Sequence, residues 1–202
     1  MGTDPLTPGF LVLAAGASRR FGSCCKLASL VGSKGPMLDA TLAEIHSVSS
    51  KVAVVTSSMN AVINERVANL GIQSFAFPAQ SPGIGESIRF GVASTPHWGG
   101  WIICLADMPF IAAQTYQAIL TEAQHYSLVA PSIGGRRGHP VYFSNRYQSS
   151  LLALQGDVGA AALLAQNAAE LHLLECDDKG IFYDIDTPEN LSSLPEYSCL
   201  RD

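Results

Sequence analysis

Three short stretches set chemically capable residues directly after apolar runs. The first is "FLVLAAGASRRFGSCCKL", residues 10–27. Small residues at Ala14, Ala15 and Gly16 let the backbone come close to a ligand, and Gly16 is free to take a positive φ. Exposed amides in such a turn form an anion-binding nest. Arg20 and Lys26 add full charges, and an arginine grips phosphate oxygens bidentately. Together they describe a polyphosphate site; an ordinary solvated basic loop is the other reading. The spellings of two familiar nucleotide loops are absent. GxxxxGK[ST] fails because Lys26 does not follow Gly22 directly. GxGxxG fails because "GIGESI" puts Ile88 where the third glycine belongs.

The second stretch is "LADMPF", with Asp107 after an apolar run and ahead of Met108-Pro109. Proline disfavours helix at Met108, so the chain turns there. A carboxylate facing a polyphosphate loop is a natural Mg²⁺ ligand, because that ion takes one or two carboxylates plus phosphate oxygens. The competing reading makes Asp107 the start of a turn or a helix cap. The third stretch, "DIDTPEN", offers Asp184 and Asp186. Two apart on a strand, they point to opposite faces, and Asp186, nearer the strand end, is the second candidate ligand. Thr187-Pro188 also reads as a helix start, so capping competes for Thr187.

These residues need a scaffold. Apolar, β-branched runs predict strands at 10–15, 51–56, 72–77, 101–106, 127–132, 138–143, 171–175 and 181–185. Helical patterns fall at 37–48, 60–69, 85–94, 112–125, 144–153, 157–167 and 188–193. Near-continuous apolar strands are those covered on both faces. Their alternation with helices predicts an α/β fold with a mostly parallel sheet and right-handed crossovers. "IGGRRGHPVYF" interrupts the alternation as a hairpin-like insertion. Ligands in such sheets bind at the carboxyl ends of strands, which is where all three stretches lie.

Composition narrows the classes. The 202 residues are 48% hydrophobic and 14% charged, and the net charge is −5. That predicts one core-rich domain, 1–202, with residues 1–9 a polar, mobile start. Without a long basic stretch, general nucleic-acid binding is excluded. No apolar run approaches the ~18 residues of a membrane helix, and "MGTDPLTPG" lacks the basic segment of a secretory signal. Five cysteines, an odd number without a CxxC pair, argue against a zinc site and fit reduced thiols in the cytoplasm. Cys24 and Cys25 sit beside basic residues that can lower a thiol pKa, or they simply fill the loop. Lys34 reads as a second phosphate contact or as a solvated lysine.

Six ordered motifs resemble the MobA-like nucleotidyltransferases, the molybdenum cofactor guanylyl- and cytidylyltransferases and their relatives. "LAAGASRRFGSCCKL" is similar to LAAGxSxRMGxxK. "GIGESIRFGV", "LADMPFI", "RRGHPVYF", "GDVGAAALL" and "DIDTPEN" resemble the family's segments in the same order over about 180 residues. The resemblance implies a three-layer α/β/α, Rossmann-like nucleotide-diphospho-sugar transferase fold with a small β insertion. It implies transfer of a nucleotidyl group from an NTP to a phosphorylated acceptor such as molybdopterin, releasing pyrophosphate, with Mg²⁺ as cofactor. By residue match, Gly16 and its neighbours Leu13, Ala14 and Ala15 would hold the nucleotide. Arg20 and Lys26 would neutralise phosphates, and Gly85 and Ser87 would line the base or ribose pocket. Asp107 and Asp186 would hold Mg²⁺, and Arg137, Gly138 and His139 would lie near the acceptor, unless His139 only shapes a turn. The LAAG spelling favours CTP over GTP. A molybdoenzyme or its chaperone is the implied protein partner.

One departure is plain: the arginine of the family's GDxGAR is Ala161 here, which puts the molybdopterin acceptor in question more than the NTP site. Two other classes compete with the transferase. An NAD(P)-dependent oxidoreductase on a related scaffold is opposed by the missing dinucleotide fingerprint. A catalytically weak nucleotide-binding or cofactor-chaperone module draws its support from Ala161.

Overall fold

The computed structural model describes residues 7–16, 25–79 and 81–187. The strands are β1 (Gly9–Leu13), β2 (Val52–Ser57), β3 (Gln73–Phe77), β4 (Gly100–Leu105), β5 (Leu128–Ile133), β6 (Arg136–Arg137), β7 (Val141–Ser144) and β8 (Leu171–Glu175). The helices are α1 (Met37–His46), α2 (Ala61–Asn69), α3 (Ile84–Ser94), α4 (Ala113–Glu122), α5 (Gln148–Leu152) and α6 (Ala161–Gln166). All eight strands join one sheet in the order β3-β2-β1-β4-β7-β5-β6, with β8 paired to β5. The β1–β2, β1–β4, β2–β3 and β5–β8 pairs are parallel, and β7 runs antiparallel between β4 and β5.

The pleat sorts the strand residues into two layers. Phe10, Val12, Val52, Val54, Ile102 and Cys104 pack with Leu42 and Ile45 of α1, Ile63 of α2 and Ile119 of α4. Their neighbours Leu11, Ala53, Val55, Trp101 and Ile103 pack on the other face with Ile88 and Val92 of α3, Leu151 of α5 and Leu163 of α6. This is the three-layer α/β/α arrangement. Strands buried on both faces have no polar side to present, which is why they read as unbroken apolar runs.

Three expected elements differ. The run 138–143 is not one strand. Ser132 pairs with Arg137 and Val129 with Tyr142, so residues 138–141 face only 130 and 131, and the chain bulges at Gly138–Pro140 across a cis His139–Pro140 bond. Helix 157–167 begins only at Ala161, because 156–158 is held against the start of α3. The segment 181–185 is not a strand: a 3-10 turn covers Lys179–Phe182 and the chain after it is irregular. The expected helix 188–193 lies outside the described residues. At the start of the chain, the Thr7 carbonyl accepts from Gly99 N (3.1 Å) and Lys51 Nζ (2.6 Å).

Candidate functional site

The carboxyl edge of the sheet is where the chemistry collects. Parallel pairing continues past the strand ends there: Ala14 N donates to the Val55 carbonyl (2.8 Å) and Ala106 N to the Leu13 carbonyl (3.2 Å). The hydroxyl of buried Thr41 on α1 donates to the Ala106 carbonyl (3.1 Å), and Met108 is buried just beyond. Asp107 is thereby fixed between a locked peptide and an anchored side chain.

Lys26 lies in a 3-10 turn, Lys26–Ala28, packed beside α1. Its ammonium donates to Asp107 Oδ2 at 2.7 Å and to Asp186 Oδ1 at 3.0 Å. The lysine side chain is 7% exposed, against 24% for Asp107 and 43% for Asp186. The three residues come from sequence positions 81 and 160 apart. One ammonium thus bridges two carboxylates. A buried lysine is stable only when so compensated.

Asp186 is carried there by a segment sewn down at four points. Asp178 accepts three hydrogen bonds: from Ala112 N (2.9 Å), Thr115 Oγ1 (2.6 Å) and Gly180 N (2.9 Å). The first two lie at the start of α4, whose own N-cap, Ala112, has no side chain able to cap it. A side chain at Gly180 would run into the Phe110 carbonyl. His139 N donates to the Ile181 carbonyl (3.0 Å), and Ile185 N to the Asp107 carbonyl (3.1 Å). That last bond ties the two carboxylate-bearing segments together directly.

Beside Asp107 opens a cleft of about 360 Å³, lined by Leu13, Gly16, Ser81, Pro82, Gly83, Ile84, Ser87, Leu105, Asp107 and Asp157. Among the described residues a Cβ on Gly16 would meet nothing within 4 Å, and Gly16 is not among the glycines in the left-handed region. Ala14 and Ala15 are buried, one in each core layer, and are not among the residues that line the cleft. Ser87 Oγ donates to Ser81 Oγ (2.8 Å), which donates to the Gly83 carbonyl (2.8 Å). Gly85 sits behind this wall. Its amide donates to the Gly156 carbonyl (2.9 Å), and a Cβ there would lie 2.5 Å from the Val158 carbonyl.

The sequence-derived candidates therefore divide. Lys26, Asp107 and Asp186 meet; Leu13, Gly16 and Ser87 line the adjoining cleft; Arg20 and Cys24 lie outside the described residues. Asp186 reaches the site, although the strand geometry used to choose it over Asp184 does not exist. Arg137 is exposed on β6, and Gly138 is packed against Ile181. His139 Nδ1 is buried without a hydrogen-bond partner among the described residues. Burial and the neighbouring Arg137 push the His139 pKa down, against the pull of Asp107 and Asp184. Lys34 pairs with Glu44 (3.1 Å). Ser81, Asp157 and Asp178 were not singled out from sequence; Asp157 stood in the quoted "GDVGAAALL", and Asp178 carried no local signal.

The family model for the MobA-like NTP transferase domain matches residues 10–171. Purine catabolism protein PucB of Bacillus subtilis is 29% identical, over 94% of this chain and 93% of that protein. Nicotine blue oxidoreductase of Paenarthrobacter nicotinovorans is 28% identical, over 94% and 97%. Among solved structures, Rv0371c of Mycobacterium tuberculosis superposes with a TM-score of 0.79 at 24% identity, covering 93% of this chain and 99% of that one. A second structure of that protein is a complex with manganese. At these identities the solved structures speak for the fold.

Proposed function

The chain belongs to the MobA-like NTP transferase domain family, and on that premise we propose that residues 1–202 form one cytoplasmic nucleotidyltransferase domain. It moves CMP, in preference to GMP, from the triphosphate to a small phosphorylated acceptor of the molybdopterin type. The observation that carries this reading is the meeting of Lys26, Asp107 and Asp186 at the mouth of the cleft.

An oxygen of the acceptor phosphate attacks the α-phosphorus of the NTP. The bond from that phosphorus to the bridging oxygen breaks, and pyrophosphate leaves with the electron pair. The nucleophile is already anionic, so the site needs no strong base. It must bring two anions into line and stabilise the charge that develops. The residues present fit a divalent ion. Asp107 and Asp186 offer two hard carboxylate donors aimed at one point, the number Mg²⁺ uses when phosphates complete its shell. Among the described residues no cluster of three or more acidic, histidine or cysteine ligands competes for that role. When bound, the ion supplies Lewis-acid stabilisation of the phosphoryl oxygens. The backbone at Leu13–Gly16 and the Ser81–Ser87 wall hold the nucleoside side. Lys26 serves the phosphates, and Arg137 and His139 face the acceptor.

Pyrophosphate release from CTP, with Mg²⁺ and a phosphorylated pterin acceptor, tests the proposal. Asp107→Ala should lower it at least about a hundredfold. Equal turnover in the variant overturns the assignment. A second reading, NAD(P)-dependent oxidoreduction, is favoured by the 28% identity to nicotine blue oxidoreductase. Tight binding of NADPH with none of CTP or GTP would put it first.

A further inference from the structure

We infer that Lys26 is a resident counter-ion, holding the place between Asp107 and Asp186 that a divalent cation takes during turnover, so that loading of the site expels it. The inference rests on the nucleotidyltransferase reading. Its physical basis is the shared use of the same oxygens. The Lys26 ammonium lies 2.7 Å from Asp107 Oδ2 and 3.0 Å from Asp186 Oδ1, the spacing of two charge-assisted hydrogen bonds. Two carboxylates this close repel each other and require a cation between them. A flexible lysine provides one at no cost in association. A divalent ion drawing on the same pair would stand within a few ångströms of a like charge only 7% exposed. Both cannot stay.

The two segments that carry the carboxylates are tied by the Ile185 N to Asp107 carbonyl bond, so the backbone holds the pair together and the long lysine side chain is the part that moves. Gly16 and the cleft beside Asp107 give its ammonium somewhere to go, namely onto the nucleotide phosphates. One residue thereby has two successive partners. The consequence is coupling: metal alone must displace the ammonium from two carboxylates with no anion given in exchange, whereas metal arriving with a triphosphate offers that ammonium a new anion. Metal and nucleotide should strengthen each other's binding, reciprocally.

The test is Mn²⁺ binding to the full chain, read by the loss of the free-ion EPR signal, without and with CTP. Without nucleotide, Lys26→Met should bind Mn²⁺ at least about fivefold more tightly than wild type, within the usual range of inter-site coupling. CTP should raise the Mn²⁺ affinity of wild type more than that of the variant. Equal or weaker binding by Lys26→Met, with wild type loading Mn²⁺ in the presence of CTP, overturns the inference alone. No Mn²⁺ binding by wild type even with CTP overturns the metal-dependent transferase reading and this inference with it. Should Lys26→Met not fold, wild type answers the same question. Saturating Mn²⁺ alone should increase acetylation of Lys26 by an amine-directed reagent, followed by peptide mass spectrometry. Unchanged protection counts against displacement and overturns it.

Discussion

Removing the Asp178 carboxylate should loosen the second acidic residue of the site without touching it. Asp178 accepts from Ala112 N, Thr115 Oγ1 and Gly180 N. Hydrogen bonds to a charged acceptor contribute ~1.5–3 kcal/mol each, but bonds sharing one acceptor group do not add. Water also reaches amides at this half-buried position. Loss of the cap on α4 costs ~0.5–2 kcal/mol, and loss of the Gly180 anchor about as much again as one such bond. Asp178→Ala should therefore destabilise the protein by about 2–4 kcal/mol, a large share of the ~5–15 kcal/mol typical of a folded domain. Thr115→Val removes one donor and leaves two, and should cost about 1 kcal/mol. Urea unfolding measures the stability change. Hydrogen exchange at the Ile185 amide, which donates to the Asp107 carbonyl, shows whether the loosening reaches the site. A structural role alone would change the first and leave the second intact. If Asp178→Ala unfolds at the wild-type midpoint and Ile185 keeps its protection, the clamp argument is wrong.

Two further outcomes are expected. Gly85→Ala should cost ~1–3 kcal/mol, typical of overpacking, because the added carbon lies 2.5 Å from the Val158 carbonyl. Weakened CTP binding by calorimetry should accompany it as the 156–158 chain shifts. Glu175 accepts from Ser132 Oγ (2.8 Å) and from Gly134 N, and these bonds hold its pKa below 4.5. A carboxylate with a lowered native pKa contributes stability above its unfolded value, and that stability is lost as the pH falls through the native one. Glu175→Gln should accordingly show a flatter stability profile than wild type below about pH 4.5 in acid-titrated unfolding; parallel profiles would remove Glu175 as the cause.

The central strands were legible because burial on both faces leaves an unmistakable apolar signature, Asp107 because it closely follows such a strand, and Lys26 because it is a full charge in the basic loop after the first one. What failed depended on partners distant in sequence. "IFYDI" has the composition of a strand, but the carbonyl of Ile181 meets His139 and the amide of Ile185 meets Asp107. Two bonds to two different segments make a seam, not a ladder. Residues 157–160 have helical composition, yet Gly156 takes φ +55° and its carbonyl is committed to Gly85. Asp178 was invisible because its partners at 112 and 115 lie 66 and 63 residues away. Asp157 sat inside a recognised motif, but only the assembled cleft shows that it lines the same wall as Ser81 and Ser87.

The bond from Lys26 to Asp186 joins positions 160 residues apart. A ribosome adds residues in order and chains fold as they emerge, at about 5–20 residues each second. For the ~8–30 seconds that such a span takes, a growing copy can hold most of the sheet and one carboxylate, and still lack the other. The proposed centre is thus completed late in synthesis. An unfinished copy released by a stalled ribosome before Asp186 would be an unproductive one, with no completed centre in which to spend triphosphate.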